Sequence, residues 1–66
     1  MRVIQANDDA LTLELTRDEL MAAANALNEV LNGPEAIEDW EFHPRMGLDR
    51  DEANRVHDGF LGVLRQ

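Results

Sequence analysis

The chain has 66 residues, no cysteine, and fourteen acids against six bases, all of them arginine, for a formal net charge of -8. That length allows one domain, residues 1–66, which buries only about 60% of the surface its unfolded form exposes and has a core worth ~3–5 kcal/mol, with no disulfide or thiolate metal site to reinforce it. The acidic balance repels a phosphate backbone, which argues against nucleic acid, and attracts a basic protein surface. No run approaches the ~20 apolar residues of a membrane span and no signal peptide is recognisable, so the cytoplasm is the expected compartment.

The stretch RVIQANDDALTLELT predicts a β-hairpin. Leu11, Leu13 and Leu15 alternate with Thr12 and Glu14, the period-two pattern of a half-buried strand, and Val3 and Ile4 begin a shorter partner strand. The turn falls at Asn7, Asp8 and Asp9, residue types whose side chains form Asx-turns.

A helix follows. Thr16 and Glu19 make a capping box, and the helix runs to Asn32, where Gly33 and Pro34 stop it. Leu20, Ala23, Ala24, Leu27, Val30 and Leu31 fall on one face, the one expected to pack against the hairpin. Residues 33–48 break both periodicities. A long loop is expected there, with WEFH as a short third strand that places Trp40 and Phe42 on one side, and Pro44 confining that strand to an edge. Asp49 and Glu52 form a second capping box for a C-terminal helix, whose apolar arc contains Ala53, Val56, His57, Phe60, Leu61, Val63 and Leu64. The predicted fold is α+β in two layers, with helices covering a hairpin.

Asn25, Asn28 and Asn32 stand at i, i+3 and i+7, with Met21 one turn before them. Three asparagines in a helix cost on the order of 1–2 kcal/mol in propensity, so the stripe asks for a use. Amides donate and accept, and two uses are open: pinning the chain's own long loop, or contact with a partner. In the loop, Glu35, Glu38, Asp39 and Glu41 surround Trp40 and Phe42. Acids beside an aromatic suit an interface, with the ring as anchor and the carboxylates orienting a basic partner, although at least one of the two rings is expected in the core. His57 reads either as a partly buried histidine or as a pH-responsive contact.

No catalytic constellation is visible. The chain lacks serine and cysteine, its histidines and acids have no metal-ligand spacing, and a domain this small has little wall for a pocket. An enzyme, a cofactor and a metal site are therefore not expected.

Through Leu15–Leu20, Asn25–Gly33, Glu41–Gly47 and Glu52–Ala53 the chain resembles a group of small acidic bacterial proteins that share a hairpin, a helix carrying N-A-L-N-E-V-x-N-G, an E-F-x-x-R-x-G stretch and a closing helix. The group brings no assigned activity with it. Its size and charge are similar to those of immunity proteins, which block toxins of competing bacteria. The resulting expectation is an immunity-type stoichiometric inhibitor of a toxin with a basic active site, with Met21, Asn25, Asn28, Glu38, Asp39, Trp40 and Glu41 as the contact residues. The alternative is a homodimeric structural or regulatory domain, its small core completed by its own copy.

Overall fold

The computed structural model describes residues 1–66 and shows an α+β fold of a two-stranded antiparallel hairpin and three helices. The elements are β1 (Arg2–Ala6), β2 (Leu11–Glu14), α1 (Arg17–Asn32), α2 (Asp39–Met46) and α3 (Arg50–Leu64). No helix is long and apolar enough to cross a membrane.

The hairpin closes through Asn7, whose Oδ1 accepts from the backbone N–H of Asp9 and of Ala10, both at 2.9 Å, while its own N–H donates to the Ala10 carbonyl. This Asx-turn needs no left-handed residue, and none is present there. Opposite residues are Arg2 and Glu14, Val3 and Leu13, Gln5 and Thr12, and Ala6 and Leu11, which leaves Ile4 as the extra residue of a β-bulge.

Both helix starts follow the capping-box pattern. Thr16 Oγ1 accepts from Glu19 N–H at 3.1 Å and the Glu19 carboxylate accepts from Thr16 N–H at 2.9 Å; Asp49 and Glu52 repeat the exchange at 2.8 and 3.3 Å. The Thr16 N–H, followed by the amino group of Met1, holds the Glu19 carboxyl below its ordinary value. The Glu52 N–H does the same for Asp49. A carboxylate whose folded pKa is depressed contributes stability above its unfolded pKa and loses it as pH falls through the folded one. Acidification below the ordinary carboxylate range therefore weakens both helix starts. Far-UV circular dichroism should show an acid-limb loss of helicity that is smaller in a Glu19→Gln, Asp49→Asn variant; an identical limb in both proteins would remove the boxes as its cause.

Helix α1 and helix α3 run antiparallel. Arg17, at the start of α1, donates to the Leu64 and Gln66 carbonyls at the end of α3, at 3.1 and 2.7 Å, and so places a cation at a helix C-terminus that has no basic residue in its own last turn. Arg50 opens α3 beside the end of α1. The core lies between the two helices and under α2, as Leu20, Ala24, Leu31, Phe42 and Ala53, with Leu27, Val30, Ile37, Met46 and Leu48 packed around Leu31, Phe42 and Ala53. α1 ends at Gly33 in extended conformation, not left-handed; the glycine is required there by space, since a Cβ would lie 2.6 Å from the Glu29 carbonyl. Gly47 ends α2 in the left-handed region, φ 83°, and its N–H donates to the His43 carbonyl.

Two expectations are corrected. WEFH is not a third strand but the second to fifth residues of α2. Asp39 and Glu41 stand in its first turn, where the helix dipole favours acids. A helix turns Trp40 and Phe42 about 200° apart, at 100° per residue, where a strand would have put them on one side. Phe42 is accordingly 1% exposed and Trp40 77%. Pro44 lies inside α2 and leaves the Trp40 carbonyl without its intrahelical donor, on the face that water reaches.

The second correction concerns the hairpin. No helix covers it: every strand residue is exposed, and no strand Cα comes within 8 Å of a helix Cα. The helices satisfy one another instead, because small Ala24 and Ala53 let α1 and α3 approach closely enough to bury Leu31 and Phe42 between them.

Candidate protein-binding surface

The four residues from the 33–48 region in the expected contact set stand at the entry to α2. Glu38 occupies the N-cap position without a side-chain capping bond, and Asp39, Trp40 and Glu41 form the first turn. Glu38, Asp39 and Trp40 are exposed and Glu41 is half-buried. This turn is held from below by Arg50. Its guanidinium donates to the Leu31 carbonyl at 2.9 Å, to the Ile37 carbonyl and to Asp39 Oδ1, and its Cζ lies 4.7 Å from the centre of the Phe42 ring. One side chain thus joins the end of α1, the loop, and both faces of the start of α2. The planar five-donor fork of arginine suits that task, and a lysine ammonium does not.

Arg50, not the asparagines, pins the loop. The loop's own backbone adds an Ile37 N–H to Val30 carbonyl bond at 3.2 Å and an Ala36 N–H to Gly33 carbonyl bond at 3.1 Å. Asn25, Asn28 and Asn32 are all exposed, as is Met21, and the one side-chain bond among them is Asn32 Nδ2 to Asn28 Oδ1 at 3.1 Å. The helix period explains why: the stripe flanks the line Leu20–Ala24–Leu31 on one side, and the loop packs along the Val30 side. The expected internal use of the amides is absent, and the stripe is left free on the surface.

The seven expected contact residues therefore make two patches. Met21, Asn25 and Asn28 lie on α1; Glu38 to Glu41 lie on α2, and no Cα of α1 comes within 8 Å of one in α2. Between the end of α1 and the loop runs a groove of about 510 Å³, lined by Glu29, Val30, Pro34, Glu35, Ile37 and Arg45. Its lining combines apolar Val30, Pro34 and Ile37 with two carboxylates and the Arg45 guanidinium. Sequence reading picked out Glu35 but not the groove, because Glu29, Val30 and Ile37 become neighbours only when the loop folds back onto α1.

No family model, no curated protein and no solved structure matches this chain.

The function must be read from the surface itself. Four of the fourteen acids have an ion-pair partner, in the pairs Met1–Glu19, Arg2–Glu14, Arg45–Glu41 and Arg50–Asp39, which leaves ten without one. The negative field is thus not neutralised within the chain. Nowhere do three His, Asp or Glu side chains converge as a metal would need. His57 is half-buried on α3 and Phe60 and Leu61 are half-buried beside it. α3 continues through Gly59 and Gly62 to Leu64, and both glycines border open space.

Proposed function

We propose that the chain is an acidic protein-binding module of the immunity type, a stoichiometric inhibitor that works in the bacterial cytoplasm by covering the basic active site of a toxin. The observation that carries this reading is Trp40: a large aromatic 77% exposed, between Glu38, Asp39 and Glu41, on a turn anchored by Phe42 and Arg50. An exposed tryptophan on a rigid base is the type of residue that anchors interfaces, and the acids around it supply steering toward a cationic surface. The groove beside this turn, with Glu29 and Glu35 against one Arg45 around Val30, Pro34 and Ile37, has a net negative lining that adds to the same steering. Met21 and the asparagine stripe extend the contact area on α1.

The test is to purify the complex from the native operon and titrate the product of the neighbouring gene against the chain at increasing salt. Association that slows steeply with ionic strength, with a blue shift of Trp40 emission on binding, supports the reading. A neighbouring gene that encodes no toxin, together with a chain that co-purifies with nothing, overturns it.

A paired substitution separates the roles of the asparagines. Asn25→Ala with Asn28→Ala should stabilise α1 by about 1 kcal/mol, since exposed asparagine is replaced by the best helix former. Binding to the partner should weaken at the same time. Loss of stability on urea titration, with binding intact, would return the amides to an internal role.

A further inference from the structure

The hairpin presents an apolar face that nothing in the chain covers. Directly opposed residues of an antiparallel pair share a face, so Val3 with Leu13 and Ala6 with Leu11 point one way, while Leu15, just past the strand, lines a groove with Leu20, Val63 and Leu64 of the helices. Arg2 with Glu14 and Gln5 with Thr12 make the reverse side polar. Val3, Ile4, Leu11 and Leu13 are between 40% and 65% exposed. A two-stranded hairpin left in this state is marginal in water.

The area of the whole molecule agrees. Its accessible surface is 5243 Å², against about 4,250 Å² expected of a folded monomer of 7.5 kDa. The excess, roughly 1,000 Å², is slightly more than the ~800 Å² that each side contributes to a standard interface. The radius of gyration, 13.1 Å, exceeds the ~11 Å of a compact domain this long for the same reason: the hairpin projects.

We propose that this face is covered by the same face of a second copy, in a two-fold dimer whose hairpins stack as a small sandwich. Charge selects a second copy over a basic partner. The apolar face contains no acid: Glu14 lies on the reverse side in its pair with Arg2, and Asp8 and Asp9 sit at the tip. A cationic partner has nothing to pair with there. A second copy presents the same uncharged face, so a two-fold stack buries no unpaired charge from either chain. The dimer leaves α1 and α2 free, and it stands or falls independently of the inhibitor reading.

The test is sedimentation equilibrium of the full chain at micromolar concentration, with two variants. The wild-type chain should sediment at twice its 7.5 kDa mass. Leu13→Glu, in the middle of the face, should halve that mass and keep its helical circular dichroism, because no helix packs on the strands. Thr12→Glu, which puts the same charge on the reverse side, should remain dimeric. A wild-type monomer, or a Leu13→Glu dimer, overturns the proposal. So does a nuclear Overhauser contact between the Leu13 methyls and α1 or α3 of the same chain, which would show the helices to be the cover.

Discussion

Phe42→Ala is expected to unfold the helical part of the molecule at room temperature. Phe42 is the largest fully buried side chain, 1% exposed, and it joins Leu31 of α1 to Ala53 of α3. Truncating a buried phenylalanine removes about 3–5 kcal/mol, which is as much as a core of this size supplies. Only five residues of 66 are buried, so no other cluster can take over. Urea titration followed by circular dichroism measures the effect. Trp40→Ala is the matched control: its side chain faces water, and a surface truncation of this kind changes stability by less than about 0.5 kcal/mol. If Trp40→Ala proved the more damaging of the two, the assignment of core and surface in α2 would be reversed and Trp40 could not serve as a binding anchor.

Arg50→Ala should have the second largest effect, about 2–3 kcal/mol, from the loss of charge-assisted bonds to two backbone carbonyls and of the contact with the Phe42 ring. Its ion pair with Asp39 adds little, because Asp39 is 86% exposed. Arg50→Lys keeps the charge yet should recover less than half of the lost stability, since one ammonium cannot span Leu31, Ile37 and Asp39 together. Hydrogen exchange localises the change: the Ile37 amide, bonded to the Val30 carbonyl, should exchange faster, with the middle of α1 unaffected. A lysine variant as stable as the wild type would mean that the loop is held by its backbone bonds alone. In the inhibitor reading, loosening this point also releases the turn that presents Glu38, Asp39 and Trp40, so partner affinity should fall with it.

The contact surface was legible in part. Exposure of Met21, Asn25 and Asn28 follows from helix periodicity once Leu20, Ala24 and Leu31 are recognised as the buried line. The separate fates of Trp40 and Phe42 were not legible, because two aromatics spaced i, i+2 face the same way in a strand and nearly opposite ways in a helix, and Pro44 weighs against both elements. Arg50 gave no signal at all. An arginine in the first turn of a helix runs against the dipole, and its reason for being there lies in carbonyls 19 and 13 residues away along the chain.

Amino-acid order alone determined the hairpin and the place of its turn, both capping boxes, both ends of α1 and the start of α3. The turn, the caps and the helix limits depend on groups within four residues of one another and the hairpin on strands adjacent in the chain, paired at most twelve residues apart, so the local chain contains every partner involved. Tertiary structure alone decided which surfaces meet. Alternating leucines announce that a strand face wants cover, but not who supplies it; here α1 and α3 bury their stripes against each other, Phe42 and Arg50 close the gap, and the hairpin is left bare. Periodicity specifies that a face is apolar, while its partner is chosen by the fit of surfaces distant in the chain, and that competition is settled only when all of them are present in three dimensions.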